Sequence, residues 1–177
     1  MVAFARGDEG RLDWKILRDG SIALYRNPRY IEEDIEWLRR NSYEIHSLDC
    51  TTWFSDEAMY TEFQRSLSFP GYFGKNLDAL NDSLSEMAVP ENGGMALVLS
   101  GFDVYAKGCG GAPMQSGRTR AGVLLDILAR NSRYFLLTGR RMVVLVQSND
   151  PLMHFEQLGG SSTRWNGREW LNHDGDL

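Results

Sequence analysis

Two short apolar runs constrain the fold of this chain more than any other feature of its sequence. They are MALVLSGF at 95–102 and MVVLVQ at 142–147, and neither alternates with polar residues as a half-exposed strand would. Continuous runs of this length are typical of strands that are buried on both faces. A helical pattern over about 119–137 lies between them. Because two strands joined through a helix pair in parallel, the sequence predicts a parallel sheet.

A third strand and two further helices complete the predicted core. YEIHSLDC at 43–50 is strand-like, and Ser55 is a suitable N-cap for the helix that follows it. Pro70 ends that helix, and another begins after Asn76, also a suitable N-cap. The predicted fold class is therefore α/β, with a three-stranded parallel core packed with helices and terminal hairpins that either extend the sheet or cap one of its edges.

The two ends of the chain carry hairpin-like patterns. In LDWKILRDGSIALYRN, Asp19-Gly20 lies between two apolar-rich runs, as in a two-residue hairpin turn. In the tail STRWNGREWL, Asn166-Gly167 lies between two tryptophans in the same way. We therefore predict three units: an N-terminal hairpin and helix over 1–41, a central domain over 42–150, and a hairpin tail over 151–177 that packs on the same domain.

Composition and charge narrow the possible functions. The chain is 42% hydrophobic, but no apolar run is as long as a membrane span. Its first residues, MVAFARGDEGRLDW, lack the apolar core of a secretory signal, so a cytoplasmic location is expected. Residues 42–112 hold ten acidic and three basic side chains, which favours a cationic partner over nucleic acid. Residues 113–150 hold two acidic and six basic side chains, so weak nucleic-acid binding stays open there.

The strongest functional pattern is a row of carboxylates in FPGYFGKNLDALNDSLSEM, residues 69–87. Asp78, Asp82 and Glu86 are four residues apart on the predicted helix, where like charges repel one another. They lie beside a narrow apolar stripe that the helix would bury, formed by Leu77, Leu80, Leu84 and Met87. A solvated surface is one explanation, since charged helix faces usually have no other role.

Two aromatic residues favour a binding site instead. Tyr72 and Phe73 precede the helix on a glycine-flanked loop, where we expect both to be displayed to solvent. Aromatic side chains beside clustered carboxylates make a plausible anchor for a protein partner.

The same segment resembles the signature of barstar, the intracellular inhibitor of a secreted bacterial ribonuclease. The shared pattern is Leu or Phe, Pro, any residue, two aromatics, Gly, any residue, Asn-Leu-Asp-Ala-Leu, any residue and Asp. The resemblance covers about residues 42–148. It implies a barstar-like fold, with three parallel strands and packed helices, and a protein that is not an enzyme and needs no cofactor.

The resemblance also implies a function and a site. Members of this family insert the helix and its preceding loop into a ribonuclease active site, where carboxylates replace substrate phosphates. Tyr72, Asp78 and Asp82 match the family's loop tyrosine and two helix aspartates, with Asp82 as the main anchor. The expected protein is thus a bacterial inhibitor or immunity protein of toxin–antitoxin type. Its expected partner is a basic extracellular-type ribonuclease or nuclease toxin, without direct contact to nucleic acid or membrane. The predicted partner-binding residues are Tyr72, Phe73, Gly74, Asn76, Asp78, Asn81, Asp82 and Glu86.

Departures from the family pattern keep an alternative open. Asn81 and Met87 stand where barstar has tryptophans. The late helix carries arginines where barstar offers acidic residues to its nuclease: Arg118, Arg120, Arg130 and Arg133. The fold could therefore serve as an interaction module for a non-nuclease partner.

An enzyme is a further alternative with little support in the sequence. Cys109 in GCGG has no activating group nearby in the sequence. His46 and Cys50 face the same side of a predicted strand, but two ligands do not make a metal site. We predict no catalytic residue, no metal site and two reduced cysteines.

Overall fold

Five parallel strands form the centre of the fold in the computed structural model, which describes residues 2–170. They are β1 (Ile22–Tyr25), β2 (Tyr43–Asp49), β3 (Gly94–Ser100), β4 (Met142–Gln147) and β5 (Arg164–Trp165). The strand order is β2-β3-β4-β1-β5, and every neighbouring pair is parallel. The predicted α/β fold with a parallel sheet is confirmed. The sheet has five strands rather than the three of the predicted core, because one strand from each terminal segment extends it, which is one of the two alternatives predicted for those segments.

The two apolar runs occupy the middle of this sheet, as predicted. Successive side chains of a strand point to opposite faces. Met95, Leu97 and Leu99 of β3 therefore pack in a larger core on one face, while Ala96 and Val98 pack in a smaller core on the other.

Within residues 2–170, six α-helices cover the two faces of the sheet. They are α1 (Leu12–Arg18), α2 (Pro28–Arg40), α3 (Asp56–Ser66), α4 (Leu77–Ser85), α5 (Phe102–Lys107) and α6 (Arg120–Leu137). Helices α3 to α6 supply the larger core, and α1 and α2 supply the smaller one. The predicted caps of α3 and α4 are confirmed, since Ser55 and Asn76 accept backbone N–H groups of the first turn. None of the helices in residues 2–170 is both long enough and apolar enough to span a membrane.

The predicted N-terminal hairpin is wrong. Its first arm is the helix α1, and its second arm is β1, which pairs in parallel with β4. Helix α1 forms because Ile16 and Leu17 are buried in the smaller core. The buried carboxylate of Asp13 also accepts a hydrogen bond from the Tyr43 hydroxyl at 2.8 Å. The local turn at Asp19-Gly20 thus joins a helix to a strand.

The predicted C-terminal hairpin does not form in the part of the tail that the structure describes. A 3-10 helix at Gly167–Trp170 follows β5 instead. Arg168 pairs there with the buried carboxylate of Asp34 at 2.5 Å, and Glu169 accepts backbone N–H groups between β1 and α2. The remaining tail, 171–177, lies outside the described residues. The division of the chain into the three predicted units stays a prediction.

Candidate functional site

Helix α4 is held in a fixed rotation by its cap and its apolar stripe. The side chain of Asn76 accepts the backbone N–H of Ala79 at 2.8 Å and so begins the helix. Leu80 and Leu84 are fully buried in the larger core, and Leu77 and Met87 pack against it, as predicted. With that stripe turned inward, three carboxylates face outward. We call this surface the acidic face: Asp78, Asp82 and Glu86.

Among the residues that the structure describes, the acidic face has no cation of its own. All three side chains are exposed, and none of them forms a salt bridge or a side-chain hydrogen bond within residues 2–170. Lys75 lies next to the helix but points to α3, where its Nζ is 3.4 Å from Glu57 Oε1. Glu86 follows the last residue of α4, where the helix dipole disfavours a negative charge. The protein therefore carries an electrostatic cost at this surface that nothing in the described chain relieves.

The loop before α4 displays one aromatic ring and buries the other. Tyr72 is 87% exposed. Phe73 is only 7% exposed, with its ring centroid 6.3 Å from that of Tyr60 and 5.1 Å from that of Phe69. The expectation that Phe73 is displayed beside Tyr72 is wrong. A tight turn, in which the N–H of Phe73 donates to the carbonyl of Pro70, directs the two rings to opposite sides.

Three other predicted site residues, Gly74, Asn76 and Asn81, have structural roles in the loop and in helix α4. Asn81 is half-buried and accepts a hydrogen bond from Asn131 of α6 at 3.0 Å, so it joins two helices. Gly74 is exposed, and its carbonyl accepts the N–H of Asn76 at 2.6 Å, where the loop becomes a helix. No observation here tests whether the eight predicted residues bind a partner, so that role stays a prediction.

The arginines around α6 are engaged within the chain. Arg118 and Arg130 lie 3.2 and 3.0 Å from the same carboxylate oxygen of Asp126. Burial alone would raise the pKa of Asp126, but the backbone N–H of Gly159 and the guanidinium of Arg118 lower it below its ordinary value. These contacts favour a structural role for this part of the basic segment.

One charged pair at this end of the molecule was missed by sequence reasoning. Arg120, at the start of α6, forms an ion pair with Asp56, at the start of α3. The pair lies near the hydroxyl of Tyr60, whose pKa is raised to about 12 by burial and by the charge of Asp56. Its two members are far apart in sequence, so no local pattern could have revealed it.

Neither cysteine is activated. Burial raises the pKa of both thiols, and the Sγ of Cys109 donates to the carbonyl of Trp53 at 3.2 Å. A thiol with a raised pKa is a weak nucleophile at neutral pH. In the part of the chain that the structure describes, no three His, Cys, Asp or Glu side chains lie together as metal ligands would.

A comparison with known protein families identifies the family to which the chain belongs. The family described as Barstar (barnase inhibitor) matches residues 43–147, which is more than half of the chain. The chain belongs to the barstar family. The predicted family is thereby confirmed, and the matched range contains β2, β3, β4, α6 and the acidic face of α4. Strands β1 and β5 lie outside the range that the barstar family matches.

Other comparisons add little. No curated protein matches the sequence. One solved structure with a partly similar fold is described as "Structure of Drosophila ORC bound to AT-rich DNA and Cdc6", with a TM-score of 0.46 and 13% identity. The match covers 92% of this chain and 56% of that chain, so this chain spans little more than half the length of that one. A likeness at this level carries no inference about function.

Proposed function

We propose that this protein is an inhibitor or immunity protein that binds and blocks the active site of a basic nuclease. One observation supports the proposal above all. The acidic face presents three exposed carboxylates that have no cation within residues 2–170, and the exposed ring of Tyr72 lies on the loop that leads into the same helix. This is the surface that carries the motif of the barstar family.

The chemistry of a nuclease explains why such a surface would bind it. An active site that holds the phosphates of a nucleic acid is cationic, so carboxylates that enter it replace the substrate charges. Binding would also relieve the repulsion along α4. In this proposal Asp82 is the main anchor, Asp78 and Glu86 add charge, and Tyr72 supplies the aromatic contact. The proposed setting is the cytoplasm of a bacterium that makes a nuclease toxin.

A binding and inhibition assay tests the proposal. Purified barnase and the nucleases captured on the immobilised chain are assayed for RNA and DNA cleavage with and without the protein. We expect inhibition of at least one of these enzymes, and we expect Asp82→Ala to weaken it at least thirtyfold, as for a residue at the centre of an interface. Glu32→Ala, at an exposed carboxylate on α2, is the matched control and should leave inhibition unchanged.

Salt dependence supplies a second readout. Because charge steering acts on the encounter of the two proteins, raising the salt concentration should slow association more than it speeds dissociation. Failure to inhibit any captured nuclease, together with unchanged binding by Asp82→Ala, would refute the proposal.

A second candidate function is a module that binds a non-nuclease protein. It is favoured by the two positions where barstar has tryptophans, because neither offers an aromatic ring to a nuclease here. The first is Asn81, which accepts a hydrogen bond from Asn131 instead, and the second is Met87. Capture of a non-nuclease partner whose binding survives the loss of both Asp78 and Asp82 would support this alternative over inhibition.

A further inference from the structure

A cleft lies beside the acidic face, next to a position where this chain departs from the family pattern. It has a volume of about 420 Å³ and lies between β2, the loop at 67–72 and the C-terminal end of α4. Met87 forms part of its lining. Because the methionine side chain is narrower than the indole that barstar carries at this position, it leaves space where the family has a ring.

The lining of the cleft combines apolar and aromatic side chains with two carboxylates. Phe69 and Tyr72 supply two rings, and Glu44 and Glu86 supply two carboxylates. Neither lysine nor arginine lines it among the described residues. A guanidinium group suits such a site, because its flat face packs on aromatic rings while its N–H groups donate to carboxylates.

A histidine in the wall of the cleft lies against one of its two carboxylates. Nδ1 of His46 lies 2.9 Å from the carbonyl oxygen of Ser66, which can only accept, so Nδ1 carries the hydrogen. In the neutral ring, Nε2 is then an acceptor, and it lies 3.2 Å from Oε1 of Glu44. This Nε2 atom is buried and has no hydrogen-bond partner. Because Nε2 is closed to solvent, a donor from outside the chain can reach the exposed carboxylate of Glu44 but not the ring nitrogen beside it.

We propose that this cleft receives one arginine side chain of the protein partner. Its guanidinium donates to the exposed carboxylate of Glu44, packs on the ring of Tyr72, and is neutralised in part by Glu86. The inference rests on the proposed function and deepens it, because the cleft would select a nuclease that carries an arginine at the rim of its active site. Asp78 and Asp82 would face the catalytic cations, and the cleft would set specificity.

The test uses the isolated protein and a small probe. N-acetyl-arginine amide is titrated into ¹⁵N-labelled protein at low salt, where the attraction of the carboxylates for a cation is least screened. We expect saturable shifts, with millimolar affinity, confined to the backbone amides of β2, the loop at 67–72 and the end of α4. N-acetyl-citrulline amide has nearly the same shape without the charge and should cause no such shifts.

Variants separate the cleft from general acidity. Met87→Trp, Glu86→Gln and Glu44→Gln should each weaken arginine binding at least threefold, whereas Asp78→Asn, on the acidic face outside the cleft, should not. Absence of saturable shifts, equal shifts with citrulline, or equal weakening by Asp78→Asn would overturn the inference. If one of these results is found while the protein still inhibits a nuclease, the arginine site in the cleft is overturned and the proposed function stands. If the protein inhibits no nuclease in the assay described above, the proposed function itself is overturned.

Discussion

Replacing Asp82 by asparagine should stabilise the free protein and weaken its binding to a nuclease. Asp82 has Asp78 one turn before it and Glu86 one turn after it, all exposed and without a cation in the described chain. Each like-charge pair at this spacing costs about 0.2–0.5 kcal/mol, so removing both pairs should add about 0.4–1 kcal/mol to the free energy of unfolding. Asparagine and aspartate have similar helix propensities, which leaves the charge as the main difference.

Thermal unfolding and inhibition assays measure the two effects separately. For a protein of this size, that gain corresponds to a rise in Tm of about 1–4 °C. The rise should largely disappear in 1 M salt, where the screening length is about 3 Å. Inhibition of the cognate nuclease should weaken at least thirtyfold, because the substitution removes the proposed main anchor.

A paired carboxylate provides the control for this experiment. Glu36 of α2 is bound by Arg39 at 2.8 Å and by Arg40 at 2.9 Å, so Glu36→Gln should give no rise in Tm and should leave inhibition unchanged. A fall in Tm for Asp82→Asn would refute the reasoning, because it would mean that this carboxylate is stabilised by a partner within the folded chain.

Three further predictions concern the loop before α4, the buried carboxylate of Asp13 and the thiol of Cys109. Tyr72→Ala should change the free energy of unfolding by less than about 0.5 kcal/mol and should weaken inhibition, because its ring is exposed. Phe73→Ala should lower the free energy of unfolding by about 3–5 kcal/mol, because its ring is buried. Equal effects of the two substitutions in chemical denaturation would contradict the different burial of the two rings. Burial alone would raise the pKa of Asp13, but hydrogen bonds from Arg11 and Tyr43 lower it overall. Its stabilising effect is therefore complete above the unfolded-state pKa of about 3.9 and is lost as pH falls through the lower folded-state pKa. The urea midpoint of the native protein should then fall more steeply from pH 5 to pH 2 than that of Asp13→Asn, and parallel curves would contradict this role. Cys109 should react with iodoacetamide at pH 8 more slowly than glutathione does, since burial raises its pKa, and an equal rate would contradict an inactive thiol.

Local patterns in the sequence were sufficient for much of the fold and for the frame of the site. The central strands β3 and β4 follow from continuous apolar runs, and α6 follows from helical periodicity. Asn76 predicted the start of α4, and Leu80 and Leu84 predicted which side of it is buried. Helix caps and hydrophobic periodicity depend on residues that are close together in the sequence, so a local pattern is enough to predict them.

Contacts between distant segments explain the failures. Asp19-Gly20 has the composition of a hairpin turn, but Tyr43 and the smaller core hold the preceding residues as a helix. Asn166-Gly167 also has the composition of a hairpin turn, but the residue that follows, Arg168, forms an ion pair with Asp34, which is more than a hundred residues earlier in the chain. A turn motif specifies a bend, and the partner of each flanking segment is chosen by the packing of the whole molecule.

The sequence by itself determined the family, the parallel α/β core and the row of carboxylates on one helix. Only the tertiary structure decided that these carboxylates have no cation in the described chain, because Lys75 is held by α3. It also decided that Tyr72 is displayed while Phe73 is buried, and that a cleft opens beside Met87. The physical reason is that charge pairing, exposure and empty space depend on which segments pack side by side, and spacing along the chain does not specify that.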